Sequence, residues 1–326
     1  MKKVAVKILV LVLVIASIAA CAFSLSACTD SGKKTIGIIQ FVSHPSLDDC
    51  YNGIIAGLKE GLGDEFDNYT IDFQNSNQDP TVSAAQANTM VSKGAAMIAA
   101  IATPSAAAAA TAAKGTLPVV YCAVSDPVAA GLADMANVTG SCDEFDFDNQ
   151  FALIKKYIPN VQTIGVLYTT TEANSISQLA TLKAKAEALG LTIVEQAITN
   201  SNEIPAATDA LIAQGIDCMT NLTDNTVVAA LDVIIPKTDA AGIPVFGSEI
   251  QQVKNGCLAS ASLDYVELGR QTGLLMAKIL KGEVVASNEV AIKNTESFKC
   301  YSKSVADKLG FTIPEGAGLN VDEQAA

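Results

Sequence analysis

A short run of β-branched and aliphatic residues followed by a longer amphipathic stretch recurs along this chain, and that alternation restricts the fold more than any other feature. Parallel strands need a crossover to bring the chain back, usually a helix, and are buried on both faces, so each unit reads as βα and the sheet as parallel. In the first half, strands are expected over 35–41, 70–75, 97–102 and 118–124, with helices over 47–62, 81–93 and 105–113. After Asn137-Val138-Thr139-Gly140 the series starts again, with strands over 163–168, 192–197, 218–222 and 244–247 and helices over 175–189, 205–214 and 226–240. The halves share an order of elements without a literal repeat, and each alone would make a small doubly wound domain. A chain of this length also exceeds the ~250–300 residues that one core serves. The expected fold class is therefore α/β: two doubly wound parallel-sheet lobes joined by a multi-strand hinge. A helix over 264–281 ending at Gly282, a strand over 290–292 and a helix over 304–309 would cross back between the lobes. The expected division is 35–141 plus 250–282 for the N-terminal lobe and 142–249 plus 283–326 for the C-terminal lobe.

The first residues address the chain. Lys2, Lys3 and Lys7 precede an uncharged run from Ile8 to Ala20. That run is a signal-peptide core, short for a helix that must cross roughly 30 Å of hydrocarbon. Leu25-Ser26-Ala27-Cys28 matches a bacterial lipobox, so 1–27 is expected to be a cleaved signal peptide, Cys28 to carry lipid, and 28–34 to be a short linker. Acyl chains bury methylenes at about 0.8 kcal/mol each, and two or three of them make a lasting membrane anchor. The location implied is extracytoplasmic, on the cell membrane.

Loss of the three leader lysines takes the net charge from −13 to −16. So acidic a protein is a poor partner for nucleic acid, whose phosphates need a basic surface. Six cysteines remain (Cys50, Cys122, Cys142, Cys218, Cys257 and Cys300), widely and irregularly spaced, which gives no metal-site pattern. Several sit in apolar runs where a reduced thiol behaves as a small hydrophobe, and free thiols are expected.

A set of short blocks, in order, then carries a resemblance. They are Ile36-Gly37-Ile38-Ile39-Gln40 with His44-Pro45-Ser46-Leu47-Asp48, Ala102-Thr103-Pro104-Ser105-Ala106, and Ala123-Val124-Ser125-Asp126-Pro127 with Ala130-Gly131-Leu132. Asn137-Val138-Thr139-Gly140, Glu172-Ala173-Asn174-Ser175, Thr223-Asp224-Asn225-Thr226-Val227, Pro244-Val245-Phe246-Gly247-Ser248 and Leu268-Gly269-Arg270-Gln271-Thr272-Gly273 follow. Over nearly the whole mature length the chain resembles the type I periplasmic binding proteins, within them the ABC transporter substrate-binding lipoproteins of the tryptophan, tyrosine or phenylalanine type. The resemblance implies an extracytoplasmic component that binds an amino acid, aromatic in kind, between its lobes and delivers it to a membrane permease. Branched aliphatic amino acids and a surface sensor of the same fold stay open as alternatives. Glu249 departs from the Asp of many relatives, and Ala259-Ser260-Ala261-Ser262 replaces a glycine-containing run.

In an open α/β sheet the ligand sits beyond the carboxyl ends of the strands, and facing lobes bring both sets of loops to one cleft. Thr103-Pro104-Ser105 opens a nearly all-alanine helix whose N–H groups suit a ligand carboxylate. Asn174-Ser175 offers a second helix start from the other lobe, and Asp224 with Asn225 would take an ammonium group. Capping explains the same residues at each of these places. Gln40, Phe41 and His44 follow the first strand, and Ser248 and Glu249 the fourth strand of the second half. Ser125-Asp126-Pro127 reads as a contact or as a turn with Pro127 opening a helix. Asp264 before Tyr265 reads as a cap. Catalysis is not indicated. Gly37 lies inside the first strand with no G-x-G-x-x-G after it, no G-x-S-x-G or phosphate loop occurs, and His44 is the one histidine with no marked nucleophile beside it. No cofactor motif is present.

Overall fold

The computed structural model describes residues 32–286, 292–293 and 297–324, so the expected signal peptide and Cys28 lie outside the described residues. The chain forms two sheets. The first lobe contains β1 (Lys34–Gln40), α1 (Pro45–Leu62), β2 (Tyr69–Asn75), α2 (Pro80–Ser92), β3 (Met97–Ile101), α3 (Thr103–Ala113), β4 (Val119–Cys122) and β5 (Val138–Cys142). The second begins with α4 (Phe147–Tyr157), β6 (Thr163–Thr169), α5 (Ala173–Ala188), β7 (Thr192–Ile198), α6 (Ile204–Ala213) and β8 (Cys218–Thr220). It continues through α7 (Asn225–Val228), α8 (Leu231–Ala240), β9 (Val245–Gly247), α9 (Ile250–Lys254) and β10 (Ala259–Ser262). The chain returns with α10 (Tyr265–Leu280) and β11 (Ile292–Lys293), then ends with β12 (Phe298–Tyr301), α11 (Lys303–Leu309) and β13 (Leu319–Asn320).

The first sheet runs β11-β5-β4-β3-β1-β2 and is parallel throughout. The second runs β13-β12-β10-β9-β8-β6-β7, with β10 against β12 the one antiparallel pair. Order 2-1-3-4-5 at the heart of the first sheet places a topological switch point beside β1, where loops after β1 and β3 diverge to opposite faces. The expected two-lobed α/β fold is what forms.

Each sheet buries aliphatic side chains on both faces. Ile36, Ile38, Met97 and Ile101 point to the layer made by α1 and α10, whereas Ile39, Ile98 and Ala100 meet α2 and α3. The first of these layers is thin because glycines let α1 and α10 touch backbone to backbone. A Cβ on Gly57 would stand 2.1 Å from the carbonyl oxygen of Arg270, and one on Gly269 2.3 Å from that of Cys50. Arg270 closes the outside of the same contact by bonding Glu60 and Glu267.

Four expectations differ from the structure. Residues 250–262 belong to the second lobe, since β10 pairs with β9 in the register Ala259↔Phe246 and Ser260↔Gly247. Of the strand expected over 290–292, residues 290 and 291 lie outside the described residues, and Ile292–Lys293 pairs with β5 of the first lobe, Ile292 opposite Ser141. Small residues in Ala259-Ser260-Ala261-Ser262 carry no strand periodicity, and that hid the extra strand between β9 and β12. The helix expected over 226–240 breaks after Val228 into α7 and α8, and Pro127 opens no helix: Ala130, Gly131 and Leu132 bond back to Asp126, Val128 and Pro127 in successive turns.

The chain thus crosses between lobes after β5, after β10 and between β11 and β12. The six cysteines of the described residues are buried free thiols, and no helix among the described residues is long and apolar enough to cross a membrane.

Candidate functional site

The carboxyl ends of the two sheets face each other across a cavity of about 330 Å³, the part open to solvent included. His44, Ser46 and Leu47 at the start of α1, and Ala123 after β4, line it from the first lobe. Asp143 and Tyr265 line it from two of the crossover segments. Asn174, Thr223, Asn225, Val228, Ser248, Glu249 and Gln252 line it from the second lobe.

Hydrogen bonds tie the lobes on both flanks. On one, Gln251 Nε2 donates to Asp49 Oδ2 at 2.7 Å. On the other, the Ser177 hydroxyl donates to Asp126, and Ser125 Oγ meets Thr223 Oγ1 at 2.9 Å. The direction of that last bond follows from valence. Ser125 spends its single proton on Asp143 Oδ1 at 2.8 Å, so Thr223 must donate to Ser125, and Gln178 Nε2 in turn donates to Thr223 at 2.6 Å. Tyr265 gives its hydroxyl proton to the other oxygen of Asp143 at 2.8 Å. Asp143 therefore stands in the wall at the end of a chain of hydrogen bonds that crosses the cleft.

The wall holds two carboxyl groups, Asp143 and Glu249, and no lysine or arginine. Glu249 accepts from the N–H groups of Gln251 at 2.5 Å and Gln252 at 2.8 Å. Burial raises both acids, Asp143 to about 6 and Glu249 to about 7, and the hydrogen bonds each accepts limit the rise. Two buried acids without a basic neighbour in the wall favour a cationic group in the cavity. Behind the wall, Glu172 accepts from the backbone and side chain of both Asn225 and Thr226, at 2.6–3.1 Å, and so fixes Asn225 in place. Burial and the neighbouring Asp224 raise Glu172 to about 7.

Three wall residues carry buried polar atoms without a partner in good hydrogen-bond geometry: both ring nitrogens of His44, which lie near Asn225, Ser46 Oγ, which lies near Glu249, and Asn174 Oδ1. Burial lowers His44 to about 4 despite nearby Asn225 and Asp48, so its ring is neutral at physiological pH, with one donor and one acceptor. Buried polar groups are ordinarily paired, and such a cluster in one wall marks where a ligand's polar groups belong.

Of the residues expected from sequence, His44, Asn174, Asn225, Ser248 and Glu249 are in the wall, while Ser125 and Asp126 form the seam between the lobes. The others are elsewhere. Asp224 is fully buried, and its oxygens are filled by Thr169 N, Thr169 Oγ1, Val227 N and the Ser175 hydroxyl. It is a cap that ties α7 to the end of β6, and Ser175 is spent on the same bond. Gln40 bonds Val42 O and Asp48, and Phe41 packs in the first core. Thr103, Pro104 and Ser105 open α3 as expected but are not wall residues. Asp264 caps Glu267, while Tyr265 beside it reaches the cavity. Sequence reading missed Ser46, Leu47, Ala123, Asp143, Thr223, Val228, Gln252 and Tyr265 as wall residues. An acid directly after a strand end was the available signal for Asp143.

The sequence model of the family described as ABC transporter substrate binding protein matches residues 35–323. A tyrosine-binding protein of Clostridioides difficile (strain R20291) is 37% identical over 263 residues, 79% of this chain and 76% of that protein. Among solved structures, an ABC domain in complex with L-Trp from Streptococcus pneumonia is 36% identical with a TM-score of 0.83, over 87% of this chain and 97% of that one. The ligand-free, open structure of a substrate binding protein with adhesive properties from Clostridium difficile is 34% identical with a TM-score of 0.66, over 88% and 98%.

Proposed function

The chain belongs to the ABC transporter substrate binding protein family, and from that premise we propose that it captures an aromatic α-amino acid, tyrosine or tryptophan, in the cavity between its lobes. The observation that carries this reading is the make-up of the cavity wall. It has two acids and no lysine or arginine, which suits an ammonium group, and buried neutral polar atoms at His44, Ser46 and Asn174. Leu47, Val228 and the ring of Tyr265 offer apolar surface for a side chain. The relatives that bind tyrosine and L-Trp support the class of ligand. At nearly equal identity the lobes superpose better on the L-Trp complex than on the ligand-free open relative, which supports reading this arrangement as the closed one.

Glu249 from the second lobe is assigned the ammonium group. Asp143, held at the crossover by Ser125 and Tyr265, is a second acid that feels the ligand's charge. A ligand touching both lobes favours the closed form by its difference in affinity for the two forms. Micromolar binding needs about −8 kcal/mol, within reach of a charged head group held at both ends and one buried ring. The bodies that move are 32–142 with 263–286 and 292–293, against 143–262 with 297–324. The role is binding and delivery to a permease, with no chemical step. The lipobox supports a lipid tether at Cys28, and Cys28→Ala is expected to shift the protein from the membrane fraction to the soluble one.

A thermal-shift screen of the chain beginning after Cys28, against the twenty amino acids and common sugars, tests the reading, because a ligand that binds the native state raises the melting point by mass action. Tyrosine or tryptophan should give the largest rise. A sugar or an aliphatic amino acid at the head of the ranking would overturn the assignment.

A further inference from the structure

The start of α1 is built as an anion site that nothing in the fold uses. An α-helix leaves the N–H groups of its first turn without intrahelical acceptors. In α1 the first helical residue is Pro45, which has no N–H, so Ser46 and Leu47 present the free donors, and both residues line the cavity. His44 occupies the capping position but its side chain makes no capping bond. Among the other helices that start at the cleft's strand ends, α10 is capped by Asp264 and α2 by Asp79; α3 and α5 also begin without a side-chain cap, but of the two Pro-Ser starts only that of α1 lines the cavity.

A second observation points to a ligand at the same place. His44 is 9% exposed and Ser46 2% exposed, and neither the ring nitrogens nor the hydroxyl has a partner in good hydrogen-bond geometry, although Asn225 lies beside the ring and Glu249 beside the hydroxyl. An 18-residue helix adds a partial positive charge of about one half at this end. Neutral imidazole, hydroxyl and two backbone N–H groups make a donor set suited to an anion without any basic side chain. Across the cleft stands Glu249, close enough for Ser46 to influence its proton. An anion and a cation on one carbon, as in an α-amino acid, would meet donors from the first lobe and an acceptor from the second.

We propose that the ligand's α-carboxylate binds at the N-terminus of α1, on the N–H groups of Ser46 and Leu47, the Ser46 hydroxyl and His44, instead of at the start of α3. The proposal rests on the amino-acid reading above. It explains why α1 begins with a neutral, non-capping residue: an Asp, Asn or Ser at position 44 would cap the helix from within and occupy the site.

The test is calorimetry with L-tyrosine and with tyramine, which keeps the ring and the amine but lacks the carboxylate. The wild-type protein should prefer L-tyrosine by 100-fold or more. His44→Asp should keep or raise the melting temperature while lowering L-tyrosine affinity at least 100-fold, which brings the two ligands within about tenfold of each other. Ser46→Ala should cost L-tyrosine about tenfold and tyramine almost nothing, and it decides the matter if His44→Asp does not fold. Ser105→Ala at the start of α3 should leave the preference intact. An unchanged preference in both α1 variants, or its loss in Ser105→Ala, overturns the assignment. A wild-type protein that binds sugars and no amino acid would instead bring down the functional reading itself, and this site with it.

Discussion

Asp224→Ala separates holding the site from touching the ligand. Asp224 accepts from Thr169 N at 2.6 Å, Thr169 Oγ1 at 2.8 Å, Val227 N at 2.9 Å and the Ser175 hydroxyl. The hydroxyls can turn to other acceptors, but Val227 N loses its acceptor and Thr169 N keeps only a long bond to Ser175 Oγ at 3.3 Å, and each buried donor left unmade or poorly made costs about 1–3 kcal/mol. The gross loss is therefore about 4 kcal/mol. Part of it is offset because Asp224 raises the buried carboxyl of Glu172, so removing Asp224 relieves Glu172 by on the order of 1 kcal/mol. The expected net destabilisation is about 3 kcal/mol by urea unfolding followed by circular dichroism. Since Asp224 has no surface in the cavity, L-tyrosine affinity of the folded protein should stay within about threefold of wild type in calorimetry at a temperature where the variant is native. A wild-type unfolding midpoint together with a tenfold loss of affinity would refute the reasoning and return Asp224 to the ligand shell.

Gly57→Ala would put a methyl group 2.1 Å from the Arg270 carbonyl, forcing α1 and α10 apart; a loss of about 2–3 kcal/mol in chemical unfolding is expected, and a neutral result would mean the helices are further apart than described. Glu249 has its carboxyl raised by burial from 4.5 to about 7, so the native state holds a proton there that the unfolded chain has lost. Stability from this group is thus present near pH 4.5 and falls as pH rises through 7, a change on the order of 3 kcal/mol. Glu249→Gln cannot ionise, so in the ligand-free protein it should gain on wild type between pH 5 and pH 8 in thermal melts, while its L-tyrosine affinity at pH 8 drops at least about tenfold; a gap that moves the other way contradicts the burial argument. Ser177→Ala removes a bond from α5 to Asp126 across the seam, so the ligand-free variant should scatter X-rays as a more extended particle than wild type and compact again with ligand, whereas identical profiles would deny Ser177 a part in closure.

Much of the fold was legible because strands buried on both faces and amphipathic helices write different periods into the sequence. Runs such as Ile36-Gly37-Ile38-Ile39 and Met97-Ile98-Ala99-Ala100 have no other home than the centre of a parallel sheet. What stayed hidden is strand β10, whose Ala-Ser alternation has no apolar period, and with it the true lobe boundary. For the site, the strand-end rule found the right loops but could not say which residue of each pair turns inward. Asn174 faces the cavity and Ser175 beside it is spent on Asp224; Asn225 faces it and Asp224 does not. Both choices depend on where a neighbouring helix leaves backbone donors to be capped, a three-dimensional fact. The same limit applies to α1 and α3, since Pro45-Ser46 and Pro104-Ser105 look alike in sequence and only the former lines the cleft.

The account depends on a ligand seated between the lobes, and a plugged cavity tests it most directly. Val228 lines the cavity on the short helix α7, and a tryptophan there is expected to fill it. In calorimetry with L-tyrosine, the wild-type chain should bind one equivalent with micromolar or tighter affinity, and a folded Val228→Trp variant should show no measurable heat. Equal binding by both proteins would place the ligand somewhere other than this cavity.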